Sequence, residues 1–379
     1  MIATLTRNAV DVLPVGGLEQ KLKLDRPLRV KLGIDVTSPD LHVGRGIPLQ
    51  RMRAFQEAGH TGVLIVGDYT TRIGDPSGRS SERPILTPEE IDANAKTYVE
   101  QAFTIVDREK TEVRFNSEWL SKLDFADVIG LTRTTTVAQI LERDDFSKRM
   151  AAREPVSVSE LLYPLMQAYD SVAIEADVEL GGTDQLYNLL AGRMVMAAYG
   201  LEPQVVLTTP LLLSWDGEKM SSSVGNNIPL TAPAEEQFGR TMRIPDSQLP
   251  EWYRLVLERA LPEGEPMDAK LALARAIAAR SHGEEAAAAA EEHFTRVVRE
   301  GQVPVEVPEA VLPAGDPVHL PAVLASAFEL STSEARRLIA QGGVKVDGEV
   351  VCELELERSR LAHAIVQAGK RRFVRLRDA

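Results

Sequence analysis

Two hydrophobic periods alternate along the first part of the chain. Residues 28–34, "LRVKLGI", form a short, mostly apolar run that predicts a strand ending near Asp35. Over residues 45–58, "RGIPLQRMRAFQEA", Ile47, Met52 and Phe55 recur near one helical face and Gly59 follows, which predicts a helix with a glycine stop. Residues 63–66, "VLIV", are a continuous apolar run of the kind that suits a buried parallel strand. Strand, helix and strand in succession make a βαβ unit, the opening of a doubly wound parallel sheet of Rossmann-like type. Apolar runs before "GGTDQ" and over 205–213, "VVLTTPLLL", extend the same sheet, so residues 1–233 read as one α/β domain.

From 234 to 300 the period turns helical. "DAKLALARAIAARSHGEEAAAAAEEHF" is rich in strong helix formers and is interrupted once, near Gly283. Prolines then crowd the chain, five of them within 301–321, and residues 301–318 read as a linker. Residues 319–379 form a small α+β unit. Ser331 and Glu334 stand at capping-box spacing, Gly342-Gly343 stop the helix, and Asp347-Gly348 form the tight turn of a hairpin in "VKVDGEVV".

Composition narrows the class. No run approaches twenty apolar residues, so no membrane span is expected, and the N-terminus has no basic-then-apolar leader pattern. The single cysteine, Cys352, excludes an intramolecular disulfide framework and a thiolate metal cluster, which suits a reducing cytoplasm. A formal charge of −13 argues against a general nucleic-acid coat. Local patches still count. The tail from 319 onward has ten Lys/Arg against eight Asp/Glu, including Arg336, Arg337 and Lys345 and the run Lys370-Arg371-Arg372.

Five segments carry candidate chemistry. "PDLHVGRG", 39–46, puts His42, Gly44 and Arg45 at a strand-to-helix junction, where helix N-termini attract phosphate. A cation in the first helical turn is disfavoured by the helix dipole, and a bound polyphosphate would reverse that sign. Solvent exposure of Arg45 with a packing or capping His42 is the competing reading. "GEKMSSSVGNN", 217–227, is a loop from which Lys219 can swing onto a phosphate. In "YPLMQAYD", 163–170, Tyr163, Gln167 and Asp170 share one helix face; they read either as a ligand-reading stripe or as an internal hydrogen-bond network. "LGGTDQ", 180–185, offers Gly182 for close backbone approach and Asp184 for a ribose hydroxyl. "IGDPSGRSSER", 73–83, holds Asp75, Arg79 and Arg83, a set that suits pyrophosphate or an ordinary polar loop.

Together and in this order, the segments carry a resemblance from about residue 27 to the end. "PDLHVGRG" resembles the HIGH signature of class I aminoacyl-tRNA synthetases and "EKMSSS" resembles their KMSKS signature. "YPLMQAYD", "GGTDQ" and "GDPSGR" resemble the pocket segments of bacterial-type tyrosyl-tRNA synthetases. The C-terminal unit resembles the small RNA-binding domain shared with a ribosomal protein.

The resemblance implies a ligase that makes tyrosyl-adenylate from tyrosine and ATP, with magnesium accompanying the ATP, and then charges tRNA. It implies that Thr37, His42, Arg45, Arg79, Arg83 and Lys219 act on the phosphates. Asp35, Gly44, Gly182, Asp184 and Lys219 would hold ATP. Asp75, Tyr163 and Gln167 would grip the tyrosine ammonium, Asp170 would accept from its phenol, and Gln185 would lie near its carboxylate. It further implies a homodimer through an insertion at about 115–180, an anticodon-side role for 234–300, and RNA contacts from Arg336, Arg337 and Lys345; no protein metal-ligand cluster is seen in the sequence.

Three positions depart from the family pattern. Arg45 replaces the second histidine of HIGH, Ser222 the second lysine of KMSKS, and Lys31 a tyrosine that several members place against the substrate phenol. These departures leave room for a degenerate paralogue that binds RNA without activating tyrosine.

Overall fold

The computed structural model describes residues 1–76, 86–300, 302–304, 307–369 and 372–378. The chain forms two compact units, Met1–Ala232 with Arg243–Leu273, and Pro233–Met242 with Ala274–Ala379.

A six-stranded sheet carries the first unit. Its strands are β1 (Asp11–Leu13), β2 (Arg29–Ile34), β3 (Thr61–Val66), β4 (Thr111–Phe115), β5 (Val178–Gly182) and β6 (Val205–Thr209), in the order β1-β6-β5-β2-β3-β4. All neighbours run parallel except the edge pair β1 and β6. Val30, Leu32, Leu64, Val178, Leu180 and Leu207 bury the sheet in one apolar core. The order reverses between β2 and β5. In open α/β sheets a ligand crevice forms beyond the carboxyl ends of the strands at that point.

Helix α1 (Val43–Glu57) follows β2 and buries Ile47, Met52 and Phe55, the face that the periodicity indicates. It begins two residues earlier than the periodicity suggests, because His42 is still extended (φ −113°, ψ 162°) and serves as its N-cap. Helix α2 (Pro88–Ala102) opens on a Thr87–Glu90 capping box with proline in its first turn. Helix α3 (Val158–Ala173) packs against α4 (Leu186–Ala198), and α4 packs on β5. Between β4 and β5 lies a helical insertion that leaves Phe125, Val137 and Met150 exposed by 81%, 62% and 53%.

The run 205–213 stops being a strand at Thr209 and continues into a turn. Leu213 and Lys219 then pair across a bridge closed by Gly217 at φ +83°. Residues 243–273 support that turn: Trp252 Nε1 donates to the Leu213 carbonyl at 3.1 Å and Gln248 Nε2 to that of Ser214 at 3.1 Å.

The longer segment of the second unit begins within the helix Pro266–His282, which Gly283, at φ +85°, separates from Glu284–Phe294, as the sequence indicates. Its C-terminal part has helices α5 (Leu320–Phe328) and α6 (Thr332–Ala340) and strands β7 (Glu309–Val311), β8 (Val344–Val346), β9 (Glu349–Val350), β10 (Ile365–Ala368) and β11 (Arg372–Arg377). The sheet order is β9-β8-β10-β11-β7. The Ser331–Glu334 capping box forms, and Asp347 and Gly348 both take positive φ in the hairpin turn. Part of the expected linker is strand instead. β7 pairs in parallel with β11, and its short, mostly exposed run gave no alternation to read.

Candidate active site

A cavity of about 900 Å³ opens where the strand order reverses. Asp35, Thr37, His42, Gly44, Arg45, Asp75, Tyr163, Gln167, Asp170, Gly182, Asp184, Gln185 and Lys219 all line it. Arg79 and Arg83 lie outside the described residues.

His42 sits at the N-terminus of α1 with 5% of its surface exposed. Burial, reinforced by the charges of Arg45 and Lys219, pushes its pKa down to about 3, so the ring is neutral at physiological pH. Among the described residues its Nδ1 has no hydrogen-bond partner. Gly44 makes room for the ring. A Cβ there would stand 3.2 Å from His42 Nδ1 and 3.5 Å from Leu212 Cβ. Gly182 is tighter, since a Cβ would meet Asp184 Oδ1 at 2.7 Å and Leu211 Cδ2 at 2.8 Å.

Arg45 does not run out into solvent. Its Nη1 donates to the Asp35 carbonyl at 3.3 Å and to the Tyr98 hydroxyl, and its guanidinium lies 5.6 Å from the centre of the Tyr98 ring. Burial opposes its charge, but Tyr98, Asp35 and Asp75 outweigh that and hold its pKa above the ordinary value. Tyr98 itself is 2% exposed and lies on α2. Ile91, Ala95, Tyr98 and Ala102 recur on one face of that helix, a period in the sequence that marks the helix but not the pairing of Tyr98 with Arg45.

A chain of hydrogen bonds joins the two ends of the cavity. Tyr163 donates its hydroxyl to Asp35 Oδ2 at 3.0 Å, and Thr70 donates to Asp35 Oδ1 at 2.8 Å. Asn116 Nδ2 then donates to Thr70 Oγ1 at 3.1 Å and to Asp170 Oδ2 at 3.4 Å. Trp119 Nε1 donates to Asp170 Oδ1 at 2.8 Å. Asp170 is 3% exposed; burial raises its pKa to about 7 against the lowering effect of Lys31, Trp119 and Asn116. Asn116 follows β4, a half-exposed edge strand, and Trp119 lies in the short helix Ser117–Leu120 that Asn116 opens.

Asn188 organises the two glutamines. Its Nδ2 donates to Gln167 Oε1 at 3.1 Å and to Gln185 Oε1 at 3.0 Å, and Gln185 Nε2 donates to Asp75 Oδ2 at 2.8 Å. Tyr163, Gln167 and Asp170 therefore form both a cavity-lining stripe and an internal network.

Lys31 is not among the cavity-lining residues. Its fully buried ammonium contacts the Gln167 carbonyl at 2.9 Å, Ser171 Oγ at 2.8 Å and Glu179 Oε1 at 2.8 Å. The ion pair with Glu179 on β5 holds the lysine behind α3.

The Lys219 loop stands opposite. Lys219 Nζ meets Asp184 Oδ2 at 2.5 Å with half its side chain exposed. Asn226 holds the loop shape: its Oδ1 accepts from the Ser221 amide at 2.8 Å and its Nδ2 donates to Asp216 Oδ2 at 2.9 Å.

Comparisons with known proteins bear on the family and the fold. Residues 23–299 match tRNA synthetases class I (W and Y), and residues 320–352 match the S4 domain. The chain belongs to the class I tRNA synthetases of the tryptophan and tyrosine group. A tyrosine--tRNA ligase of Thermotoga maritima is 46% identical over 389 residues, covering 99% of this chain and 96% of that one. One of Geobacter sulfurreducens is 48% identical over 394 residues, covering 99% and 98%. Among solved structures, the tyrosyl-tRNA synthetase of Archaeoglobus fulgidus complexed with L-tyrosine superposes with a TM-score of 0.63 at 24% identity, over 76% of this chain and 98% of that one. At that identity the likeness is one of fold.

In this family member the S4 match overlaps the capped helix and hairpin. Arg336 and Arg337 are exposed on α6, and Lys345 projects outward between the buried Val344 and Val346 of β8. None of the three forms an ion pair among the described residues, whereas Arg358, Arg360 and Arg377 each meet a carboxylate. Lys370 and Arg371 lie outside the described residues.

Proposed function

We infer that this chain activates tyrosine with ATP and transfers it to tRNA, as a tyrosine–tRNA ligase. The observation that carries the choice of amino acid is Asp170, a buried carboxylate on the wall of a class I cavity, fixed by Trp119 and Asn116. Such a group selects a substrate that brings a hydroxyl. A site built to bond a hydroxyl rejects the analogue lacking it by on the order of 10⁴-fold or more.

In activation, a carboxylate oxygen of tyrosine attacks the α-phosphorus of ATP and pyrophosphate leaves. His42, neutral and at a helix N-terminus, and Thr37 donate to the phosphates. Lys219 leaves Asp184 to meet the developing charge, and Arg79 and Arg83 add two more cations. Arg45 supplies donors on the nucleotide side while Asp35, Gly44, Gly182 and Asp184 bind the ribose side. Catalysis is electrostatic, by placed donors and cations, without a covalent enzyme intermediate. Asp75, Tyr163 and Gln167 hold the tyrosine ammonium, with Gln185 beside the reacting carboxylate.

Magnesium enters as the counter-ion of ATP. No group of three acidic, histidine or cysteine side chains forms a metal cage among the described residues. Mg²⁺ commonly keeps waters and substrate phosphates as most of its ligands, and the cavity carboxylates Asp35 and Asp184 suit at most an outer role.

The basic face of α6 and β8 offers phosphate contacts to tRNA, positioning it without reading sequence. Exposed Phe125, Val137 and Met150 on the insertion favour a homodimer through that segment. A cytoplasmic place follows from the role in translation. No helix among the described residues is long and apolar enough to cross a membrane.

The test is aminoacylation of a bacterial tRNA pool with tyrosine, tryptophan or phenylalanine. Tyrosine alone should be esterified. Tryptophan charging, or no charging with any of the three, would refute the reading.

A further inference from the structure

Behind the phenol-facing wall of the cavity lies a buried polar network with no partner in the chemistry above. Lys31 on β2 is 0% exposed and forms an ion pair with Glu179 of β5, itself 1% exposed. Glu179 Oε2 also accepts from Gln204 Nε2 at 2.8 Å and from Ser171 Oγ at 3.2 Å. The fit is close: a Cβ at Gly192 of α4 would stand 2.4 Å from Gln204 Nε2 and 3.1 Å from Glu179 Oε2. Lys31 also takes the carbonyl of Gln167 and the hydroxyl of Ser171, the two residues that bracket Asp170 on α3.

We propose that Lys31 is a positioning residue for tyrosine selection. Its ammonium, anchored by Glu179, clamps the Gln167–Ser171 turn of α3 and holds Asp170 on the wall as an ionised acceptor. The proposal rests on the reading of Asp170 as the phenol acceptor.

Electrostatics supports the geometry. The charged and polar groups facing Asp170 come from three elements: Lys31 from β2, Glu179 from β5, and Asn116 and Trp119 from the short helix Ser117–Leu120 and its N-cap after β4. Burial raises the Asp170 pKa, Lys31 is the largest influence in the opposite direction, and Glu179 adds a weaker upward push. Removing Lys31 leaves two buried carboxylates facing each other, and like charges at close range favour a proton on one of them. A protonated Asp170 gives the phenol a neutral partner, and hydrogen bonds to charged groups are about twice as strong as neutral ones.

The experiment is tyrosine- and phenylalanine-dependent ATP–pyrophosphate exchange from pH 6 to 9, on the native chain and three variants. Lys31→Met strips the ammonium and strands Glu179, so it risks misfolding. Lys31→Met/Glu179→Gln removes both charges and keeps an amide for Ser171 and Gln204. Asp170→Asn tests the underlying reading.

The double variant, shown folded by circular dichroism, should lose about tenfold in the tyrosine-over-phenylalanine ratio of kcat/KM. Its pH profile for tyrosine should rise at a higher pH than the native one, because Lys31 acts on Asp170 more strongly than Glu179 does. A folded double variant with the native ratio and an unshifted profile overturns the proposal. A native ratio in Asp170→Asn overturns the phenol reading itself, and the role of Lys31 with it.

Discussion

Arg45 looks from the sequence like a damaged signature, and its surroundings show how the change is absorbed. Tyr98 and the Asp35 carbonyl take its donors, and nearby acidic groups hold its charge in spite of burial and the helix N-terminus. Arg45→Ala should raise the KM for ATP about tenfold and leave the KM for tyrosine nearly unchanged, which steady-state exchange kinetics will separate. An equal rise in both would reduce Arg45 to a packing residue. His42 and Asp170 divide the pH axis between them. With His42 held near 3 and Asp170 near 7, exchange at low tyrosine should rise with pH through about 7 as Asp170 loses its proton. His42→Asn should cost on the order of 10²-fold in kcat and leave that inflection in place. An inflection that moves with His42→Asn would assign the titration to the wrong group.

At the scale of elements, legibility followed burial. The β2–α1–β3 unit was readable because its strands are buried on both faces and its helix is amphipathic, and both conditions leave periodic marks. Edge strands β1 and β4 are harder to read, since half-exposed edges need no apolar run and the alternation of Glu112, Val113, Arg114 and Phe115 is only a few residues long. Losing β4 also hid Asn116 and Trp119, the two donors that hold Asp170. The surroundings of Lys31 were hidden for a different reason: its partner Glu179 is 148 residues away, and no local pattern reports such a pairing. Glycines were legible as spacers but not in what they spare. At Gly44 the structure shows the cost, a Cβ pressed 3.2 Å from His42 Nδ1. Gly44→Ala should lower kcat for exchange about tenfold while a thermal melt moves by only a few degrees. A lost fold, or unchanged kcat, would contradict the role given to that junction.

At the scale of the molecule, the cavity and the S4 match fall in different compact units, each with its own core. Replacing Arg336, Arg337 and Lys345 with alanine should leave tyrosine activation intact. Charging should weaken, and tRNA affinity should depend less on salt by about one unit of log–log slope for each phosphate contact removed. Unchanged tRNA affinity would place the RNA face elsewhere. The exposed insertion residues belong to this scale too. Phe125→Glu with Val137→Glu should shift the sedimentation of the protein toward the monomer, whereas a native chain that sediments as a monomer would remove the dimer. The central claim is that this cavity activates tyrosine in spite of its altered signatures. The most direct measurement is tyrosine-dependent ATP–pyrophosphate exchange by the native chain and by Lys219→Ala. Ready exchange in the native chain, reduced on the order of 10²-fold or more without Lys219, is the predicted result. No exchange in the native chain, restored by Arg45→His, would mean that the cavity has lost activation and that the chain survives as an RNA binder.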